Sequence, residues 1–289
     1  MTFFPRMNRI ALKFAYSAEG FFGYARQTGL RTVEGELTKA LRDLHIIESI
    51  EGNRFRSGSR TDRGVWAAGN VCAFDTDFPL RGLCGALNRH IGANGIWAVA
   101  AASVDADFNP RHARRRTYRY FLNDDSKTLD IDAMRGAAGE FLGEHDFSNF
   151  ARLESGRTPV RQVDEIHIGR AAGGFPSSGN EYATFDFSAP NFLWNQVRRM
   201  VGAIKLCGEG RLGADDIRRA LSNPQERSDY GLADARGLVL MDVDYGTEVS
   251  FEAGRDAGKV GDTIRSVIKK REKELLLLGS MLCALRGKR

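Results

Sequence analysis

Ser59-Arg60-Thr61-Asp62-Arg63-Gly64-Val65 sets one carboxylate between two arginines and follows it with a glycine able to bend the backbone. A polar hairpin turn would use the same residue types, since Asp hydrogen-bonds its own backbone and Gly accepts positive φ. Chemistry would use them too: a carboxylate ionised at neutral pH and partly shielded from water is a competent nucleophile or base. Side chains alternate along an extended chain, so Arg60, two positions before Asp62, is its expected same-side neighbour, and Arg63 is not.

Two other arginine groups could meet this carboxylate or its ligand. Arg111, Arg114, Arg115, Arg116 and Arg119 fall close together, interleaved with His112, Tyr118 and Tyr120. Guanidinium groups bind phosphates and rings stack on unpaired bases, so the mixture suits RNA; the plain alternative is a solvated strand edge. Arg198 and Arg199 lie in a segment beginning Asn191-Phe192-Leu193-Trp194-Asn195-Gln196-Val197. Either they are surface charges, or one faces inward and pairs with Asp62 across a cleft, in which case each depends on the other. Gly208-Glu209-Gly210-Arg211-Leu212-Gly213 matches GxGxxG, but a helical segment precedes it where a dinucleotide site needs a strand, so it reads as a helix-end turn.

The elements that must position these groups come from a chain of 289 residues, 42% apolar, enough for a well-buried core. Net charge is +5, and residues 255–289 hold ten Lys or Arg against four Asp or Glu, so the basic excess sits in the tail. A basic tail and an arginine cluster point to a polyanion, most simply nucleic acid. Four cysteines without a CxxC pair and five histidines without HxxxH or HExxH spacing argue against structural zinc and a disulfide framework. No apolar run has membrane-spanning length and the first residues do not resemble a signal peptide, so the chain reads as cytoplasmic and reduced, with no membrane partner.

Alternation at Ile10, Leu12, Phe14 and Tyr16 predicts a strand, and Val33, Leu37, Ala40, Leu41 and Leu44 predict a helix. Strands near 55–59 and 70–74, a helix over 80–91 and a strand over 96–104 complete a β-α-β-β-α-β order. The order recurs as strand 117–122, helix 131–142, strands 163–168 and 182–187, helix 192–207 and strand 238–245, with a short helix at 215–221 before the last strand. The economical reading is α+β: two tandem split βαβ, ferredoxin-like halves with antiparallel sheets meeting at a central cleft, 1–107 and 108–250. Helices on one sheet face would leave the other face free for a ligand or the opposite half. The remainder, 251–289, reads as a basic amphipathic helix packed on the body, with Ile264, Val267, Ile268, Leu275, Leu278, Met281, Leu282 and Leu285 on its apolar side.

Several segments, taken together, resemble the TruA-type tRNA pseudouridine synthase family. Residues 59–65 with Ala67-Ala68-Gly69-Asn70-Val71 and Phe74 are similar to its GRTDxGVHAxGQVxxF signature. Phe108 to Ala113 with Arg116-Thr117-Tyr118-Arg119-Tyr120 resembles FxARxSAxxRxYxY, and Phe141 to Phe147 resembles LxGxHDF. Asn191 to Gly202 resembles NxFLxxMVRxxVG, and Gly237 to Tyr245 resembles GLxLxxVxY. The likeness implies two ferredoxin-like halves and isomerisation of uridine to pseudouridine in the tRNA anticodon arm, at positions 38 to 40 in the family. It also implies roles by position: Asp62 as catalytic aspartate, Tyr118 as the ring against the target base, Arg198 as the partner of Asp62, and Arg60 close to the flipped nucleotide. Arg63, Arg111, Arg114 and Arg116 are expected along the RNA path.

The implied reaction breaks the N1–C1′ bond, turns the held uracil and joins C5 to C1′. It involves no redox change or net hydrolysis, and so calls for neither cofactor nor metal. The carboxylate either attacks C1′ or removes the 2′ proton, and both routes stay open. Departures from the pattern are Ser59 for Gly, Trp66 for His, Tyr24-Ala25 for Trp-Gln, and Asp234-Ala235-Arg236 without a Pro before Gly237. The tail either grips tRNA or closes a homodimer. The competing readings are a non-catalytic RNA-binding module in which Asp62 is structural, and action on a different RNA.

Overall fold

The computed structural model describes residues 7–124, 127–172, 181–253 and 257–286. Strand β1 (Asn8–Tyr16) buries Ile10, Leu12, Phe14 and Tyr16, which alternate onto one side. Helix α1 (Val33–Asp43) starts at Thr32, whose hydroxyl accepts from the Gly35 amide, and delivers Leu37 and Leu41 to the same core. β2 is reduced to Arg56–Ser57; a loop over 58–65 then leads into the long β3 (Trp66–Thr76), α2 (Leu80–Ile91) and β4 (Ile96–Ser103). The second half follows with β5 (Arg115–Asn123), α3 (Ile131–Gly139), a ribbon of β6 (Gly143–Asp146) and β7 (Val160–Val163), and β8 (Glu165–Ala172). Then come β9 (Glu181–Ala189), α4 (Gln196–Gly208), α5 (Ala214–Ser222), β10 (Leu238–Asp244), β11 (Glu252–Ala253) and α6 (Ala257–Arg286).

The main sheet runs β11-β4-β1-β3-β10-β5-β9-β8, with β2 also paired to β3. Within it, β4-β1-β3-β2 and β10-β5-β9-β8 are one arrangement used twice, as the α+β reading expects. The halves do not keep separate sheets, however. β3 and β10 pair in parallel, Trp66 opposite Val239 and Ala67 opposite Leu240, and make the sheet continuous. The short β2 permits this: it pairs only with Ala73 and Cys72, leaving the start of β3 for β10. Gly69 lies in this seam, where a Cβ would come within 2.9 Å of the Met241 carbonyl and 3.0 Å of Asp242 Oδ1. Lys13 Nζ reaches Asp242 Oδ1 at 2.6 Å and ties the halves across β3.

Several boundaries differ from expectation for local reasons. The helix expected from Phe192 begins at Gln196, because Asn195 sits at φ +65° and turns the chain just before it. The strand expected over 163–168 is two strands, since the chain leaves β6 as partner at Val163 and takes β9 from Glu165. The β6–β7 ribbon was not anticipated: Gly143-Glu144-His145-Asp146 has no apolar alternation to announce a strand. The glycine-rich stretch from Gly208 follows α4 directly and leads to α5, as a helix-end turn.

The terminal helix lies within the expected tail and packs over only part of its length. Val260 and Ile264 join Ala15, Trp97 and Val99, whereas Val267, Leu278 and Met281 are exposed. The side chains of Leu275, Leu282 and Leu285 lie outside the described residues. Among the described residues no helix is long and apolar enough to cross a membrane.

Candidate active site

The loop over 58–65 is held by hydrogen bonds from the first half. The Tyr16 hydroxyl and Thr61 Oγ1 lie 2.8 Å apart, the Tyr24 amide donates to the Thr61 carbonyl at 3.1 Å, and Asn70 Nδ2 donates to the Ser59 carbonyl at 2.9 Å. A tight turn closes with Val65 N–H donating to the Asp62 carbonyl, and Gly64 supplies its φ of +94°. A Cβ at Gly64 would also stand 3.2 Å from that of Ala235, so the turn is pressed against the second half. These anchors fix the backbone on both sides of Asp62 and leave its side chain pointing into open space between the halves.

From the second half, Arg198 Nη1 donates to Asp62 Oδ2 at 2.9 Å. Its Nε donates to the Ala233 carbonyl at 2.8 Å, which sets the plane of the guanidinium. The Asp62 and Arg198 side chains are 30% and 15% exposed, so the pair is shielded but still reachable. Arg199, the other candidate, instead meets the exposed Asp229 at 3.0 Å. The left-handed turn at Asn195 decides between them, because it sets the phase at which α4 starts. Gln196, fully buried, reinforces that start by accepting from the Leu193 amide at 2.8 Å.

Tyr118 is buried on β5, its ring and that of Phe192 meeting in a T-shaped contact at 5.5 Å between centroids. Burial pushes its phenol up to about 12; the nearby Arg116 opposes this and the Asp62 charge reinforces it. The group therefore stays a neutral hydroxyl through the physiological range. Asp62, Tyr118 and Arg198 line a single cleft of about 650 Å³ over the β3–β10–β5 seam. The cleft opens on the buried, helix-bearing side of the sheet, where Tyr118 and Tyr120 point. The sequence expectation leaves the other sheet face free for a ligand or for the opposite half and puts the site between the halves; the cleft does lie between them, but on this face.

The arginines divide according to the pleat of β5. Arg115 and Arg119 point away from the buried side and meet Glu165 at 3.5 Å and Asp186 at 2.6 Å, respectively. Arg116 points inward and is buried. Its guanidinium donates to Ser59 Oγ at 3.0 Å and to the carbonyls of Gly58, Arg111 and Pro190, so it binds the Asp62 loop to the second half. Ser59, where the signature it resembles has glycine, thus supplies a hydroxyl that Arg116 uses. Arg60, Arg63 and Arg111 line the cleft with exposed side chains, Arg63 lying 4.4 Å over the Phe22 ring. Arg114 is outside the lining, its side chain against Gly246.

Trp194, which lines the cleft, and Arg152, which packs on it, were not singled out from sequence. Trp194 Nε1 donates to the second Asp62 oxygen, Oδ1, at 3.0 Å, and the Arg152 guanidinium lies 4.0 Å over the Trp194 ring. Trp194 sits inside a segment already recognised, so an indole next to the arginine-bearing helix was the available signal. Arg152 carried none, since its contact arises from an isolated pairing of Arg152 with Trp194 far apart in the chain.

The chain is similar to known proteins over most of its length. A family model described as tRNA pseudouridine synthase matches residues 137–246. The chain is 40% identical over 270 residues to "tRNA pseudouridine synthase A" of Thermococcus sibiricus, covering 92% of this chain and 95% of that protein. A protein of the same name from Thermococcus kodakarensis is 41% identical over 82% of this chain and 85% of its own. One from Methanoculleus marisnigri is 39% identical over 85% and 87%. Similarity of this degree, spanning both halves, makes the chain a member of the tRNA pseudouridine synthase family.

Proposed function

We propose that this protein converts uridine to pseudouridine in the anticodon arm of tRNA, at positions 38 to 40, without a cofactor, and that Asp62 is the reacting acid. The observation that carries the reading is the cross-half contact of Arg198 with Asp62 at 2.9 Å in a cleft that also holds Tyr118. A target uridine must leave its stack to reach this carboxylate, at a cost of a few kcal/mol that contacts to flanking phosphates offset. Arg60, Arg63 and Arg111, exposed on the cleft wall, are suited to those phosphates. Arg116 acts on RNA indirectly, by holding the loop that presents Asp62.

Asp62 acts at the ribose, by attack on C1′ or removal of the 2′ proton, and in either case the N1–C1′ bond breaks. The detached uracil turns against the Tyr118 ring and C5 bonds to C1′ as Asp62 leaves C1′ or returns the proton to C2′; the C5 proton is then lost and N1 takes one up. The neutral Tyr118 hydroxyl donates a hydrogen bond to the turning base, and the phenol helps relay that proton. Every atom of the uridine is retained apart from the exchanged C5 hydrogen, so the chemistry requires no electron carrier. Cys72 and Cys207 are buried thiols outside any disulfide, which suits a cytoplasmic protein.

The test is tritium release from tRNA transcripts labelled at uridine C5, followed by mapping of the product. Wild type releases tritium, and Asp62→Asn loses turnover by about 10⁴-fold or more while binding tRNA within about threefold. Wild-type protein that binds tRNA but releases no tritium would convert the reading into an RNA-binding module.

A further inference from the structure

Asp62 is held from two sides, and only one of them is charged. Arg198 takes Oδ2, and the Trp194 indole takes Oδ1 at 3.0 Å. Both donors come from one short segment, on either side of the left-handed turn at Asn195. The indole is in turn fixed twice: the Arg152 guanidinium covers its ring at 4.0 Å, and the Arg152 amide donates to the Trp194 carbonyl at 2.8 Å. Yet Trp194 is 42% exposed, more than a residue retained for core packing would be.

We propose that Trp194 is a positioning residue for the Asp62 carboxylate in the tRNA reaction. A carboxylate bound through one oxygen can still rotate about its last torsion, which is broad for Asp. A second donor on the other oxygen stops that rotation and sets the plane in which the remaining lone pairs face the ribose. Each carboxylate oxygen can accept two donors, so one direction per oxygen stays open for C1′ or the 2′ proton. Indole suits the task because it donates only and carries no charge; it orients the acid without neutralising it.

The inference rests on Asp62 being the reacting acid, and the test separates the two. Kinetics are read on an unmodified tRNA transcript carrying tritium at uridine C5. Trp194→Phe keeps the ring and loses the donor; kcat is expected to fall roughly ten- to a hundredfold with KM within about twofold. Trp194→His, which restores an N–H, recovers most of that loss. In a ¹H–¹⁵N spectrum of tryptophan-labelled protein, the indole signal missing from Trp194→Phe moves when Asp62 is replaced by Ala.

Unchanged kcat in Trp194→Phe, a loss confined to KM, no recovery with His, or an indole signal indifferent to Asp62 would each overturn the proposal. Full turnover by Asp62→Asn would instead remove the underlying reading.

Discussion

In the first half the second strand, β2, is two residues long and hands over to the loop that carries Asp62; its counterpart β8 in the second half runs eight residues in unbroken register with β9. The lead-in to the second helix shows the reverse. Before α2 it is a plain turn ending at Pro79, whereas before α4 it contributes Leu193, Trp194 and the left-handed Asn195. One scaffold used twice has thus been altered at a different place in each copy. The acid comes from a shortened strand, its two donors from an elaborated helix entry, and neither half holds the constellation alone. The parallel β3–β10 seam, which joins the halves, therefore matters to the site as well as to the sheet.

After loss of the acid itself, the largest expected effect comes from cutting the contact between the halves. Arg198→Gln should lower kcat by about 10²- to 10³-fold, the scale of losing one preorganised charged donor, and Arg199→Gln less than about twofold. Equal losses in tritium-release assays would mean that the turn at Asn195 does not select between them. Next comes the seam itself. Gly69→Ala puts a methyl against the Met241 carbonyl and should cost about 2 kcal/mol in urea unfolding, with the strands shifting to make room. An unchanged midpoint would show that the two halves have slack where they join.

The smallest effect concerns Tyr118. Its phenol is raised to about 12 by burial, so the stability it contributes is whole below about pH 10 and lost as pH rises through about 12. Burial raises Tyr16 and Tyr245 in the same direction. Tyr118→Phe should therefore flatten, without abolishing, the alkaline decline in unfolding free energy, by about 1 to 2 kcal/mol across that window. An unaltered decline would mean the phenol reaches solvent at high pH.

Much of this was legible in the residues. Alternation along β1 and helical spacing in α1 and α2 are local signals, and α2 lies over Leu80–Ile91 where the periodicity put it. The asparagine before α4 was visible too, but its left-handed conformation was not, so the helix was started four residues early. The arginine cluster was the harder case. In sequence it is a single basic patch, but strand pleating sends Arg115 and Arg119 to acids on one side and buries Arg116 on the other.

Residue type and spacing alone determined the two halves, the presence of a carboxylate in a glycine-bearing loop, and the candidate partners for it, because those depend on periodicity and short-range turn chemistry. Which arginine meets Asp62, which arginines stay exposed on the cleft wall, and that an indole takes the second oxygen were decided only by tertiary structure. Those contacts join positions more than a hundred residues apart through the seam of β3 with β10. No local pattern encodes the register of such a seam.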